Sequence, residues 1–287
     1  MVALALNTNL SSLNAQRHLE NNRSQLGSSI NRISSGRIEG ASDGVTELTL
    51  TENIRADVVV IQQGSRNLND GTALVKTAEG ALNEISGILL RLRSIASQSA
   101  NGTIDDVERI STDLEYQASL RELDRIVATT EFNGTFLLDG TLAASQPTAD
   151  HNVLQLGVDS SSKNQFDLNN MLNLTNVGTA SLGLSGSNIT SQGDAFQALN
   201  ALTTSTDDLI QARGRVGTTQ IRIMHAFDNL KVQEENLTAA VSTIRDADFA
   251  EELTSLTKNQ LLVQSAVAMV GQANLNPQAA LILLEGV

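Results

Sequence analysis

Three histidines, three clustered carboxylates and two arginines are the residues of this chain whose types could carry chemistry. His18, His151 and His225 lie far apart in different predicted elements, and no His-Glu-x-x-His spacing occurs. Zinc hydrolysis therefore lacks its ligands. His18 and His225 read as polar-face helix residues, and His151, in a Ser- and Asn-rich stretch, as a solvated loop residue. Asp105, Asp106 and Glu108 could form a carboxylate site. Acids in that position also complement the positive end of a helix, and this plainer reading accounts for them. Arg91 and Arg93 flank Leu92; they suit a solvent face that pairs with acids elsewhere, or a contact with another protein. With no cysteine there is neither disulfide nor thiolate chemistry. Nor is there a Gly-x-Ser-x-Gly elbow, a phosphate loop or a dinucleotide fingerprint. These residues predict no enzyme, no cofactor and no metal site.

The elements that hold them are more informative. Ile54, Ile61, Leu68, Val75, Leu82, Leu89 and Ala96 fall every seventh residue, and so do Leu202, Leu209, Val216, Ile223, Leu230, Leu237 and Ile244. A seven-residue apolar period marks one face of a long helix packed on other long helices. Each run would extend about 63 Å as helix. One such run could arise by chance in a chain this apolar; two of matched length, one in each half, predict paired rods. The expected fold is mainly α, with long antiparallel rods in a coiled-coil-like bundle and a small β-hairpin insert.

Composition agrees with rods. Two prolines, Pro147 and Pro277, leave long stretches free of the strongest helix breaker, and aromatic residues make up only 2% of the chain. A net charge of −13 argues against nucleic acid, which needs clustered Lys and Arg. It also predicts salt-dependent self-association. The most apolar stretch, Leu261 to Ala273, is too short to span a bilayer, so no membrane insertion is expected. The opening MVALALNTNL has no basic region and no trusted cleavage site, so export would not use an ordinary cleaved signal.

Residues 1–35 read as an amphipathic helix with Leu6, Leu10, Leu13, Leu19, Leu26, Ile30 and Ile33 on its apolar side. Residues 36–46 hold three glycines and read as a non-helical connector. The first rod runs from about 47 to 100; Gly64, Gly71, Gly80 and Gly87 inside it each cost about 1 kcal/mol against Ala. A second helix follows to about Val127, with Thr103 as its expected N-cap and Tyr116, Leu120, Leu123 and Val127 on one face. From 141 to 192 the pattern breaks down. Val153–Val158 and Gln165–Leu168 suggest a β-hairpin on a surface-exposed insert. After the second rod, from about 194 to 244, Asp248 and Glu251 form a capping box for a last helix. Its stripe is Phe249, Leu253, Leu256, Val263, Val267 and Val270, and between Glu252 and Glu285 its one charge is Lys258. Two charge-poor, apolar ends should need burial by assembly.

At this point the chain resembles bacterial flagellin. Asn7-Thr8-Asn9, Leu13-Asn14 and Ile33-Ser34-Ser35-Gly36 follow the family's N-terminal pattern. Ser65-Arg66-Asn67, Thr77-Ala78-Glu79-Gly80-Ala81-Leu82, Gln98-Ser99-Ala100-Asn101-Gly102 and Glu131-Phe132-Asn133-Gly134 are similar to its first half. Ile244-Arg245-Asp246-Ala247-Asp248-Phe249-Ala250 and Gln272-Ala273-Asn274 are similar to its last helix. The resemblance covers both ends, about 5–140 and 182–285, and skips the insert.

The resemblance implies a self-assembling subunit of the extracellular flagellar filament, exported without signal cleavage by the flagellar type III route. Residues 1–46 with 245–287 would form the terminal domain of an inner tube, 47–140 with 193–244 the rod domain, and 141–192 a short variable insert. It implies an export chaperone, a filament cap and junction proteins as partners, and an animal innate immune receptor at a segment similar to Leu89–Gln98. There Arg91, Ile95 and Glu115 match the family pattern, while Leu90 and Ser94 replace a usual Gln and Glu. The connector is shorter than the family form by about one residue, and Glu47 replaces a small one. Some members carry a metalloprotease in the insert, whose ligands are absent here. Two other readings stay open: a hook–filament junction protein with related terminal helices, and an acidic coiled-coil adaptor.

Overall fold

The computed structural model describes residues 9–38 and 45–285, with side chains through Leu275. Leu6, Asn7, Thr8 and connector residues 39–44 lie outside the described residues. Six helices, α1 Leu10–Ser35, α2 Val45–Ser99, α3 Asp106–Thr129, α4 Leu168–Leu172, α5 Gln192–Arg245 and α6 Phe249–Glu285, account for most of the described chain. Strands β1 Glu131–Phe132 and β2 Thr135–Phe136 form one antiparallel pair, and β3 Val153–Gln155 and β4 Gln165–Asp167 another. The fold is mainly α with long helices, as the heptads predict. The chain forms two compact units, Asp57–Asn236 and one drawn from residues up to Ala56 and from Leu237 on.

The central unit has the apolar core. Ile61, Leu68, Val75, Leu82, Leu89 and Ala96 of α2 are buried, as are Leu202, Leu209, Val216, Ile223 and Leu230 of α5. Gln62 bonds Glu234, Gln220 bonds Glu79 and Gln192 bonds the Ala100 carbonyl. Partner numbers fall on α5 as they rise on α2, so the two helices run antiparallel. Many threonines, among them Thr72, Thr77, Thr203 and Thr206, turn their hydroxyls back to the carbonyl four residues earlier.

Two of the four glycines of α2 have a packing role. A Cβ on Gly64 would collide with the Leu156 carbonyl oxygen, and one on Gly71 with the Leu154 side chain. Gly80 and Gly87 face open space. The β3–β4 hairpin thus lies against the glycine face of α2, and the Asn67 amide donates to the Gln155 carbonyl at 2.8 Å beside it.

The insert is more than a surface appendage, contrary to expectation. Leu142, Leu168, Leu172, Leu174, Leu184 and Ile189 are all buried. Their spacing follows neither helix nor strand period, so the sequence pattern concealed them. Its far end zips onto α3. Asp124 accepts from the Thr179 amide and hydroxyl (2.9 and 2.8 Å), Asp113 accepts from the Ile189 amide (3.0 Å), and the Tyr116 hydroxyl meets that of Ser187 (3.0 Å). Burial raises the Tyr116 pKa.

Two further expectations need correction. Asp105, not Thr103, caps α3, its carboxylate accepting from the Glu108 amide at 2.8 Å. His151 is not a solvated loop residue; its side chain is 2% exposed. Its Nδ1 lies 2.8 Å from Asp167 Oδ2 and its Nε2 3.0 Å from the Gln146 carbonyl. An ionised carboxylate and a carbonyl can only accept, so both bonds together require the imidazolium. The bond to Asp167 raises the His151 pKa, against the opposing effect of burial. At Asp167, burial pushes upward, but the bond from His151 and others outweigh it and the pKa is lowered.

Arg109, a residue with no obvious sequence signal, is buried. It donates to the carbonyls of Ser99 and Asn101 at 2.8 Å each, and to Asp106 at 3.0 Å. A guanidinium at the end of α2 satisfies carbonyls that lack helical partners and meets the negative end of the helix.

Candidate assembly surface

The two ends of the chain supply the functional candidate. α1 begins at Asn9, whose side chain accepts from the Ser12 amide at 3.1 Å, and ends at Gly36 in the left-handed region (φ +68°). Glycine allows that turn without strain. Beyond it the chain pairs with the segment before α6: the Ile38 amide donates to the Arg245 carbonyl (2.8 Å) and the Ala247 amide to the Gly36 carbonyl (3.1 Å). Asp248 caps α6, accepting from the Ala250 amide at 2.8 Å. Arg245 reaches Glu52 at 2.6 Å, and that bond lowers the Glu52 pKa.

α1 and α6 pack on each other along their lengths. At one end Asn9 donates to the Ala273 carbonyl and Ser12 to the Asn274 side chain, both at 2.7 Å. At the other, Arg32 and Glu252 form an ion pair at 2.8 Å. The antiparallel seam is small and polar. Among the described residues of the two helices, the buried side chains are Ser12, Ser29, Glu252, Asn259 and Ala273. None of the large apolar side chains described on these helices is fully buried. Leu13, Ile30, Phe249, Leu253 and Val267 are exposed, and Leu19, Leu26, Ile33, Leu256, Val263 and Val270 are half-buried. Of the rod positions, Ile54 and Leu237 are also half-buried, in contrast to the buried series of the central unit. A lone helical pair that buries serine and leaves leucine in water has its apolar face turned toward something else.

The basic pair on α2 behaves differently. Arg91 bonds Glu115 of α3 at 2.7 Å, and both are exposed. Ile95, grouped with them by the family pattern, is buried. Among the described residues no group of His, Asp and Glu is arranged to hold a metal, and no helix is long and apolar enough to cross a membrane.

Long helices drawn from both ends of a chain, with an open apolar face on the terminal pair, define a self-assembling helical subunit. Residues 6–143 match the bacterial flagellin N-terminal helical region, and 199–284 match the C-terminal helical region. A flagellin of Halalkalibacterium halodurans is 37% identical over 98% of this chain and all of its own length. A flagellin of Bacillus subtilis is 33% identical, again over 98% of this chain and all of its own. The crystal structure of Bacillus cereus flagellin, 29% identical, covers 61% of this chain and 94% of that one, with a TM-score of 0.48. The chain belongs to the bacterial flagellin family. It is a structural subunit that polymerises with copies of itself into the extracellular flagellar filament of swimming bacteria.

Proposed function

We propose that polymerisation is driven by burial of the apolar faces of α1 and α6 against the same helices of neighbouring copies. The inverted seam carries this reading: Ser12, Ser29 and Asn259 are buried, while every described leucine and phenylalanine of the pair is half-buried or exposed. In this proposal residues 1–46 with 245–287 line the inner tube, 47–140 with 193–244 form the surrounding rods, and 141–192 is the variable insert. The subunit has no catalytic role. It leaves the cell by the flagellar type III route and is handled by an export chaperone, a cap and junction proteins. Arg91 and Glu115 form an exposed ion pair that a neighbouring subunit or an animal receptor could contact.

A full leucine burial contributes about 1.5–3 kcal/mol, so Leu13→Ala should raise the critical concentration for filament growth roughly 10- to 100-fold. Being exposed in the single chain, the same change should leave monomer stability within about 0.5 kcal/mol. Deleting residues 253–287 should leave a soluble, helical monomer that cannot polymerise. Sedimentation and negative-stain microscopy, with and without ammonium sulfate, read both. Filaments from the truncation would overturn the proposal.

A further inference from the structure

The chain is poor in groups that give up electrons. It has no cysteine, no tryptophan and one tyrosine, Tyr116, which is buried. Thioethers are therefore its softest side chains, and there are four: Met1, Met171, Met224 and Met269. Met1 lies outside the described residues, and Met171 is half-buried in α4. Met224 on α5 and Met269 on α6 are open to water, 64% and 63% exposed. Exposure decides which of them an oxidant in solution reaches first.

The surroundings of these two differ. Met269 follows Leu262 by seven residues, which puts both on one flank of α6, beside the line of Asn259 and Ala273 that is buried in the terminal pair. Leu262, Val267 and Leu275 are exposed with it. Lys258 is the one charge between Glu252 and Glu285, and it precedes Met269 by eleven residues. Met224 belongs to the central unit and has Arg222, His225 and Asp228 as sequence neighbours, all exposed. A thioether suits an apolar face that is to be covered. A sulfoxide does not: its oxygen is a strong hydrogen-bond acceptor, solvated in the lone subunit and stripped of water when the face closes.

We propose that Met269 is an oxidation site at which conversion to the sulfoxide withdraws the subunit from assembly. This role rests on the filament reading and adds a chemical control to it. The oxidant is a hypohalous acid, such as hypochlorous acid. Its oxygen ends on Sδ, the thioether gives up two electrons to the chlorine, and chloride and a proton leave. No bond of the chain breaks, and a thiol-driven methionine sulfoxide reductase reverses the step. The free subunit is the form that reacts, because covering the α6 face puts Met269 out of reach. Stranding the new acceptor on that face should raise the critical concentration about ten- to a hundredfold.

Purified monomer would be treated with hypochlorite matched to its methionine content, quenched with free methionine and sedimented over a concentration series, with peptide mass mapping to locate the sulfoxides. Met269 sulfoxide in the monomer, its absence from filaments oxidised after assembly, and a critical concentration at least about tenfold higher are expected. Met269→Leu should bring the ratio of treated to untreated critical concentration close to unity, while Met224→Leu should leave it high. Complete oxidation of Met269 with an unchanged critical concentration would overturn the site and leave the filament reading standing. So would a rise that persists in Met269→Leu, or equal oxidation of Met269 in filament and monomer. Untreated wild-type protein that never polymerised would remove both readings. Should the leucine variant fail to polymerise, reductase treatment of oxidised wild-type protein decides. Growth should return as the Met269 sulfoxide disappears, and growth still lost after its reduction would refute the proposal.

Discussion

Replacing Gly64 by alanine should destabilise the central unit, whereas the same change at Gly80 should stabilise it. On an open helix face, Gly→Ala gains about 1 kcal/mol, and Gly80 has no neighbour within 4 Å of an added Cβ. At Gly64 the added Cβ meets the backbone oxygen of Leu156. A backbone atom held in a hairpin cannot swing aside as a side-chain end can. Displacing it costs about 1–3 kcal/mol, as overpacking generally does, leaving a net loss of about 1 kcal/mol. Gly71 should fall between, because the obstacle there is the flexible Leu154 side chain. For a unit of this size each kcal/mol moves the melting temperature by about 2–4 °C. Gly80→Ala and Gly64→Ala should therefore differ by about 4–8 °C when melted as monomers by circular dichroism. Equal stabilisation by both would mean that the hairpin does not rest on α2, and the packing argument for Gly64 would fail.

Because the His151 pKa is raised by its bond to Asp167, its contribution is complete below the unfolded histidine value of about 6.5. It is lost as pH rises through the folded value. Hydrogen exchange across residues 153–167 should therefore quicken on the alkaline side, and His151→Asn should flatten that dependence; an imidazole midpoint at or below about 6.5 by NMR would contradict the geometry. Arg109→Met should cost about 2–4 kcal/mol in chemical denaturation, since it strands the buried Ser99 carbonyl and that of Asn101. A loss below about 0.5 kcal/mol would show that water replaces the guanidinium.

The rods were legible because their chemistry is periodic. Leu68, Val75 and Leu82 repeat at the interval that one helix face demands, and each is fully buried. Capping at Asp248 was legible for a similar reason, its partners lying within one turn. What escaped depends on residues brought together from afar. The role of Gly64 needs Leu156, and the burial of His151 needs Asp167, sixteen positions on and across a hairpin. The leucines of the insert keep no period, so their burial emerges only with the tertiary fold. At the termini the apolar stripes were readable, but not that α1 and α6 would meet through serine, asparagine and an ion pair. Nothing in a hydrophobic pattern marks small polar residues as the inner seam. Likewise, Ile95 fits the family motif beside Arg91, yet its side chain is below the surface.

The threonines that bond their own helix have a consequence for wetting. A hydroxyl already donating to the carbonyl four residues back, as in Thr203, Thr254 and Thr257, loses no donor bond when water leaves. Stranding a buried hydroxyl ordinarily costs about 1–3 kcal/mol, and that penalty is largely removed in advance. Such surfaces can be hydrated around a lone molecule and dry between stacked ones, so solubility and dehydration need not be competing demands on the same residues.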